Sequence, residues 1–188
     1  MSEANGRLVF LRLLLKVMAF VVLIAFVRIL LGSLPERDSE PELSVSHFDV
    51  SAMKPGDHKL IEWSNKPLFI VYRKEVWESE LTAAKSELYR DPQSVRSTQP
   101  DNAVGALRTP HAGWFVSLGL GTGAGCALTF EAPEVATADE RMPVGGFIDP
   151  CDNSRYDLAG RVYAKQAAKR NTVVPEWRLE GQQIFVTE

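Results

Sequence analysis

Two loops carry the residues whose types and spacing could do chemistry. One is Gly121-Thr122-Gly123-Ala124-Gly125-Cys126. The other runs Asp149-Pro150-Cys151-Asp152-Asn153-Ser154-Arg155-Tyr156-Asp157-Leu158-Ala159-Gly160-Arg161, and between them the two loops hold both cysteines of the chain. Asp149, Asp152, Asn153 and Asp157 crowd the second loop, and oxygen donors at that density admit a hard cation such as calcium. Their spacing matches no EF-hand, and Asp and Asn in a loop more commonly cap the local backbone, so no metal is expected there. The glycines of 119–123 do not lead into a helix as a phosphate loop would, because Cys126-Ala127-Leu128 reads on as strand. His47, His58 and His111 lie outside both loops, and no Ser/His/Asp spacing is present.

The second loop resembles the latter cluster-binding motif of the Rieske iron-sulfur proteins, Cys-Pro-Cys-His-Gly-Ser-x-Tyr-Asp-x-x-Gly-Arg. Pro150, Cys151, Ser154, Tyr156, Asp157, Gly160 and Arg161 match it, while Asp149 stands at the first cysteine, Asp152 at the histidine and Asn153 at the glycine. The first loop resembles Cys-Thr-His-Leu-Gly-Cys. It keeps Thr122, Gly125 and Cys126 but has Gly121 and Gly123 at the other cysteine and the histidine. A Rieske centre holds one iron by two thiolates and the other by two imidazoles. Glycine has no donor atom, and carboxylates are hard ligands poorly matched to sulfide-bridged iron.

The resemblance therefore implies a degenerate member of that family. Gly121, Gly123, Asp149 and Asp152 become vestigial cluster positions, no cofactor is expected, and Ser154, Tyr156, Asp157, Gly160 and Arg161 are a retained motif. It also implies a disulfide between Cys126 and Cys151, which leaves no thiol for a Cys/His nucleophile. In the family the hydroxyls at 154 and 156 bond cluster sulfurs; here they are expected to bond within the loop pair. Asp157 and Arg161 are expected as a solvated pair of little energetic weight. By itself, cysteine spacing is also compatible with an unrelated disulfide-linked β domain.

These loops need elements to position them. The chain has 188 residues, 45% of them hydrophobic and 24% charged, which suits one globular domain plus an apolar segment. From residue 35 onward 17 basic residues face 23 acidic ones, a balance of −6 that argues against nucleic-acid binding. Residues 1–12 are expected to form a cytoplasmic tail and 13–34 a transmembrane helix, with Lys16 and Arg28 snorkelling. Arg7, Arg12 and Lys16 on the N-terminal side, and four acids after the span, orient the N-terminus to the cytoplasm. A cleaved signal peptide is the competing reading, but the run is long and no small-x-small site closes it. Residues 35–46, with two prolines and four acids, read as an extended linker.

Residues 47–188 are expected to form the Rieske-like domain, with 112–168 its cluster-binding-like subdomain. Lys59–Trp63 and Lys66–Arg73 read as strands joined by a Ser64-Asn65 turn. Trp77, Leu81, Ala84 and Leu88 fall at helical spacing, predicting a helix stopped by Asp91-Pro92. Trp114–Leu118, Phe147-Ile148 and a closing hairpin over Glu176–Val186 complete an all-β fold of antiparallel sheets with one short inserted helix. Where the family has a Gly-Pro-Ala-Pro lid, this chain has Lys165-Gln166-Ala167-Ala168.

The resulting expectation is a single-pass inner-membrane protein with a periplasmic, cluster-free domain. It would be an accessory or structural subunit with partners among the membrane proteins of a respiratory complex. The rival reading is an iron-sulfur or quinone-linked electron-transfer protein of the ubiquinol-cytochrome c reductase type.

Overall fold

A computed structural model describes residues 2–32, 45–133, 142 and 145–187. By its contacts the chain divides into two units, Met1–Glu42 and Leu43–Glu188. The described residues of the first form a helix, α1, Ser2–Gly32. Its stretch Val9–Leu30 spans 22 residues and is long and apolar enough to cross a membrane, where about 20 are needed. The large apolar side chains of that stretch are exposed around the whole helix rather than along one stripe. Such a helix finds no water-compatible face of its own, so it is a candidate membrane anchor. The apolar stretch lies four residues N-terminal of the expected 13–34 span at either end, because Val9, Phe10 and Leu11 continue it past Arg12. Residues 33–44, which hold the expected end of the span and most of the expected linker, are outside the described residues.

Among the described residues, every strand pairing in the second unit is antiparallel. β1 (Val45–Asp49) pairs with β9 (Gln183–Thr187), which pairs in turn with β8 (Glu176–Glu180). A second sheet runs β2 (His58–Trp63), β3 (Lys66–Tyr72) and β4 (Trp114–Leu118). The third is short: β5 (Thr129–Glu131), β6 (Gly146–Ile148) and β7 (Arg155–Tyr156). Ser64 and Asn65 turn β2 into β3 with φ of 50° and 57°, the two left-handed residues that a tight hairpin matching strand twist requires. Strand β1 starts at Val45, within the last residues assigned by sequence to the linker.

β3 is the middle strand of its sheet and is buried on both faces: Leu68, Phe69, Ile70 and Val71 are each at most 2% exposed. Around it pack Phe115, Val116, Phe147, Tyr156, Val162, Trp177, Ile184 and Val186. The inserted helix α2 covers only Glu75–Ala83, shorter than the expected run to Asp91. Ala84 takes an extended conformation, a single 3-10 turn follows at Ser86–Leu88, and Leu88 is left 40% exposed. Trp77 and Leu81 do bury, forming a second core with Tyr89, Met142, Leu158, Ala159 and Tyr163. The helix stops early because Tyr89 must swing onto Tyr163, with which it forms a β-bridge and a stacked pair of rings 5.4 Å apart.

Candidate functional site

The second loop closes on itself through its aspartates. Asp149 N–H donates to Ser154 O (2.8 Å) and Asn153 N–H donates to Asp149 O (2.8 Å). Asp149 Oδ1 accepts from Cys151 N–H at 2.9 Å, and Asp152 Oδ1 accepts from Ser154 N–H at 2.8 Å. Each carboxylate thus caps an amide two residues on, the local role that short acidic side chains take in turns. Asn153 sits at φ 57°, a left-handed position that Asn tolerates better than most residues. In the first loop Gly121 N–H donates to Cys126 O at 2.9 Å, and Gly125 turns the chain at φ 79°.

Three kinds of contact join the loops. The disulfide expected between Cys126 and Cys151 is present, with Cα atoms 6.2 Å apart. Asp152 Oδ2 reaches across to accept from Ala124 N–H at 3.1 Å. Tyr156, fully buried, accepts from Thr122 N–H at 2.9 Å, and the Thr122 hydroxyl, 3.1 Å from the tyrosine hydroxyl, donates to Arg170 O. Burial pushes the Tyr156 phenol up, opposed in part by the Thr122 bonds. Ser154 Oγ accepts from Ala168 N–H at 2.9 Å, which ties the 165–168 segment over the pair. Both hydroxyls are thereby committed to the scaffold.

Gly121, Gly123, Asp149 and Asp152, expected from the sequence as vestigial cluster positions, come together in pairs. A Cβ on Gly121 would lie 1.8 Å from Asp149 Oδ2, and one on Gly123 would lie 2.0 Å from Asp152 Oδ2. The carboxylates fill the space that side chains at 121 and 123 would need. Asp149 is fully buried, and its Oδ2 has no hydrogen-bond partner. No thiolate or imidazole stands at any of the four positions, and both cysteines are bonded to each other. Sulfide-bridged iron requires soft thiolates and imidazoles, so neither the donors nor the space fit a Rieske cluster. Asp157, the third carboxylate of this loop, has both oxygens bonded to other groups, Ala159 N–H, Arg161 N–H and Arg161 Nε.

That engagement corrects the expectation for Asp157 and Arg161. Their side chains are 0% and 4% exposed, and Arg161 Nε lies 2.7 Å from Asp157 Oδ2. Asp157 Oδ1 also accepts from the N–H groups of Ala159 and Arg161. Arg161 donates on to Leu81 O and to the Tyr89 hydroxyl and lies 3.9 Å over the Tyr89 ring. The Tyr89 phenol is raised by burial and then by the Asp157 charge. Gly160, at φ 67°, presses against Thr172, where an added Cβ would come within 1.9 Å of Oγ1. The spacing of 157 and 161 carries no sign of this, because the covering residues lie some 70 to 80 positions away.

Two further anchors escape a reading of the sequence. Arg108, fully buried in a segment that reads as loop, donates to the carbonyls of Ala159, Gly160 and Thr172 and to Gln99 Oε1. Burial lowers its guanidinium to about 10, offset in part by Asp157 and Asp91. Asn171 accepts from Val162 N–H and donates to Asp91 O and Ser94 Oγ. The three histidines stay away from the loops: His58 stacks on Phe130, His111 packs near Trp177, and His47 lies beside Phe185.

No family model matches the chain. Individual relatives do. The ubiquinol-cytochrome c reductase iron-sulfur subunit of Allochromatium vinosum is 33% identical over 129 residues, covering 68% of this chain and 61% of that one. Its counterpart in Rhodospirillum rubrum is 32% identical over 135 residues, covering 72% and 66%. The mitochondrial cytochrome b-c1 complex subunit Rieske of Schizosaccharomyces pombe is 28% identical over 146 residues, covering 77% and 54%. The chain belongs to the Rieske iron-sulfur protein family. The aligned part spans less than two thirds of the length of these three relatives. Among solved structures, a chain of a hyperthermophilic respiratory complex III aligns over 94% of this chain and 97% of its own, at 19% identity and a TM-score of 0.43.

Proposed function

We propose that this chain is a cluster-free Rieske subunit, an accessory or structural component of a membrane-bound respiratory assembly related to the cytochrome bc1 complex. One observation carries the reading: Asp149 and Asp152 occupy the space of the side chains that Gly121 and Gly123 lack. A domain that merely awaited its cluster would have donors in place and room for the metal. The partners are other membrane subunits of that assembly, in keeping with the relatives named above. The helix over Val9–Leu30 anchors the chain in the inner membrane. Arg7, Arg12 and Lys16 towards its N-terminal end and the acids at 36, 38, 40 and 42 beyond it favour an N-terminus in the cytoplasm and a domain in the periplasm. In this reading Gly121, Gly123, Asp149 and Asp152 are vestigial, and the domain begins at the close of the 35–46 linker.

The decisive experiment is iron analysis and a visible spectrum of the full chain purified from its native membrane. The reading expects a colourless, iron-free protein. About two irons per chain with Rieske-type absorption would instead establish the electron-transfer reading. Reporter fusions after Ser46, active only in the exported compartment, test the topology.

A further inference from the structure

Among the described residues, one group of side chains brings together three donors that a metal could use. Cys126 Sγ, Cys151 Sγ and a carboxylate oxygen of Asp149 all lie within 4.8 Å of one another. While the sulfurs are bonded to each other they offer no thiolate, and the group is closed to metal. Asp149 nonetheless presents an unusual feature. It is fully buried, one of its oxygens caps Cys151 N–H, and the other has no hydrogen-bond partner at all. An unpartnered buried carboxylate oxygen costs free energy unless something answers it.

We infer that reduction of the Cys126–Cys151 bond opens a zinc-type site made of the two thiolates and Asp149. The inference rests on the cluster-free reading, since Asp149 stands at a position where the family has a cluster ligand. Two thiolates and one carboxylate suit a borderline divalent cation far better than they suit calcium or a sulfide-bridged iron pair. Zinc takes sulfur at about 2.3 Å and oxygen at about 2.0–2.2 Å, so its ligands stand about 3.3–3.8 Å apart in a tetrahedron. The three donors lie no more than 4.8 Å apart, about an ångström beyond that spacing at most, and on reduction the two sulfurs part from bonding distance towards it. Cys151 is exposed, so water reaches the fourth position and a reductant reaches the bond.

The steps balance. A dithiol donor passes two electrons and two protons to the disulfide, becoming a disulfide itself and leaving two cysteine thiols. The cation then displaces both thiol protons to solvent and binds the two thiolates and the carboxylate. Under oxidising conditions the covalent bond ties the loops; under reducing ones the metal would tie the same two residues. The site would thus exchange one cross-link for another rather than lose the loop pair.

The test uses the full chain in detergent, with iron content measured first and the bond then opened anaerobically by a phosphine, which brings no thiol to compete for metal. Cobalt(II), as a spectroscopic stand-in, and zinc are titrated into oxidised and reduced protein. The expected result is one equivalent bound by the reduced chain with a thiolate-to-cobalt charge-transfer band, and none by the oxidised chain. Asp149→Asn keeps the side chain's shape and its cap on Cys151, yet should weaken binding at least about tenfold, no less than loss of an outer-shell partner does. Zinc should raise the thermal midpoint of the reduced wild type more than that of the reduced Asp149→Asn protein. Equal metal uptake by oxidised and reduced chains, or equal affinity in Asp149→Asn, would overturn the inference. So would binding accompanied by loss of the native near-UV signal. Iron in the protein as purified would instead defeat the cluster-free reading, whereas the titration decides the zinc site whatever the iron content.

Discussion

The loop tip and the frame behind it are held by different kinds of contact. At the tip, Asp149 and Asp152 bond amides of their own loop or the one facing it, and Gly123, Ala124, Gly125, Cys151 and Asn153 are exposed. In the frame, Asp157, Gly160 and Arg161 are buried and bond to residues as far away as Leu81 and Arg108. Of the positions read as departing from the motif, Gly123 and Asn153 are exposed while Gly121 and Asp149 are buried; Ser154, Tyr156, Asp157, Gly160 and Arg161, read as matching it, are all buried. The lesson is that ligand identity and fold are carried by separable residues. Gly121, Asp149 and Asp152 hydrogen-bond within the two loops, to Cys126, Cys151, Asn153, Ser154 and Ala124, and not to the distant residues that hold Asp157 and Arg161.

That separation can be broken at graded cost. The largest effect should come from Asp157→Ala, which leaves Arg161 buried and uncompensated; such losses run to about 3–5 kcal/mol, and thermal unfolding of the full chain in detergent should show it as a fall affecting every strand. Cys126→Ser should come next. The bond closes a loop of 25 residues, for which the chain-entropy model gives about 3.5 kcal/mol, but the damage should be local. Limited proteolysis should cut within 121–154 while the sheet of β2, β3 and β4 stays intact.

A smaller effect sharpens the same contrast. Gly121→Ala drives a methyl into Asp149 and should cost about 1–3 kcal/mol, as overpacking does. Much of that loss should disappear in the Asp149→Ala background, a coupling readable from a double-mutant cycle. Additive losses would mean that the two positions do not interlock. Smallest of all, Tyr156→Phe removes the acceptor for Thr122 N–H and should cost about 1 kcal/mol, confined to the first loop.

Much of this architecture is legible in the sequence because it is written in short-range signals. The Ser64-Asn65 turn, the apolar run of β3 and the hairpin around Gly181 depend on neighbours in the chain. The cysteine pairing follows from the motif frame. What escapes depends on residues far apart. The periodicity through Leu88 continues the helix on paper, but the pull of Tyr163 and Arg161 on Tyr89 ends it at Ala83. Asp157 and Arg161 read as an ordinary exposed pair since Leu81 and Tyr89, which bond Arg161, lie 72 to 80 positions away. Arg108 and Asn171 look like loop residues until three separate segments converge on them. The packing of Asp149 against Gly121 is equally hidden: each substitution reads as loss of a ligand, and only their juxtaposition shows the pair as a filled space.

The central claim is that carboxylates and a disulfide, rather than a metal cluster, hold the two loops together. Native-state hydrogen exchange at the Ala124, Cys151 and Ser154 amides tests it most directly, comparing the full chain as purified with the same protein after exhaustive treatment with an iron chelator. These amides donate to Asp152, Asp149 and Asp152 in turn, so the account predicts protection that chelation leaves unchanged and that Asp152→Ala removes at Ala124 and Ser154. Protection that collapses on chelation, with Asp152→Ala having no effect, would contradict it.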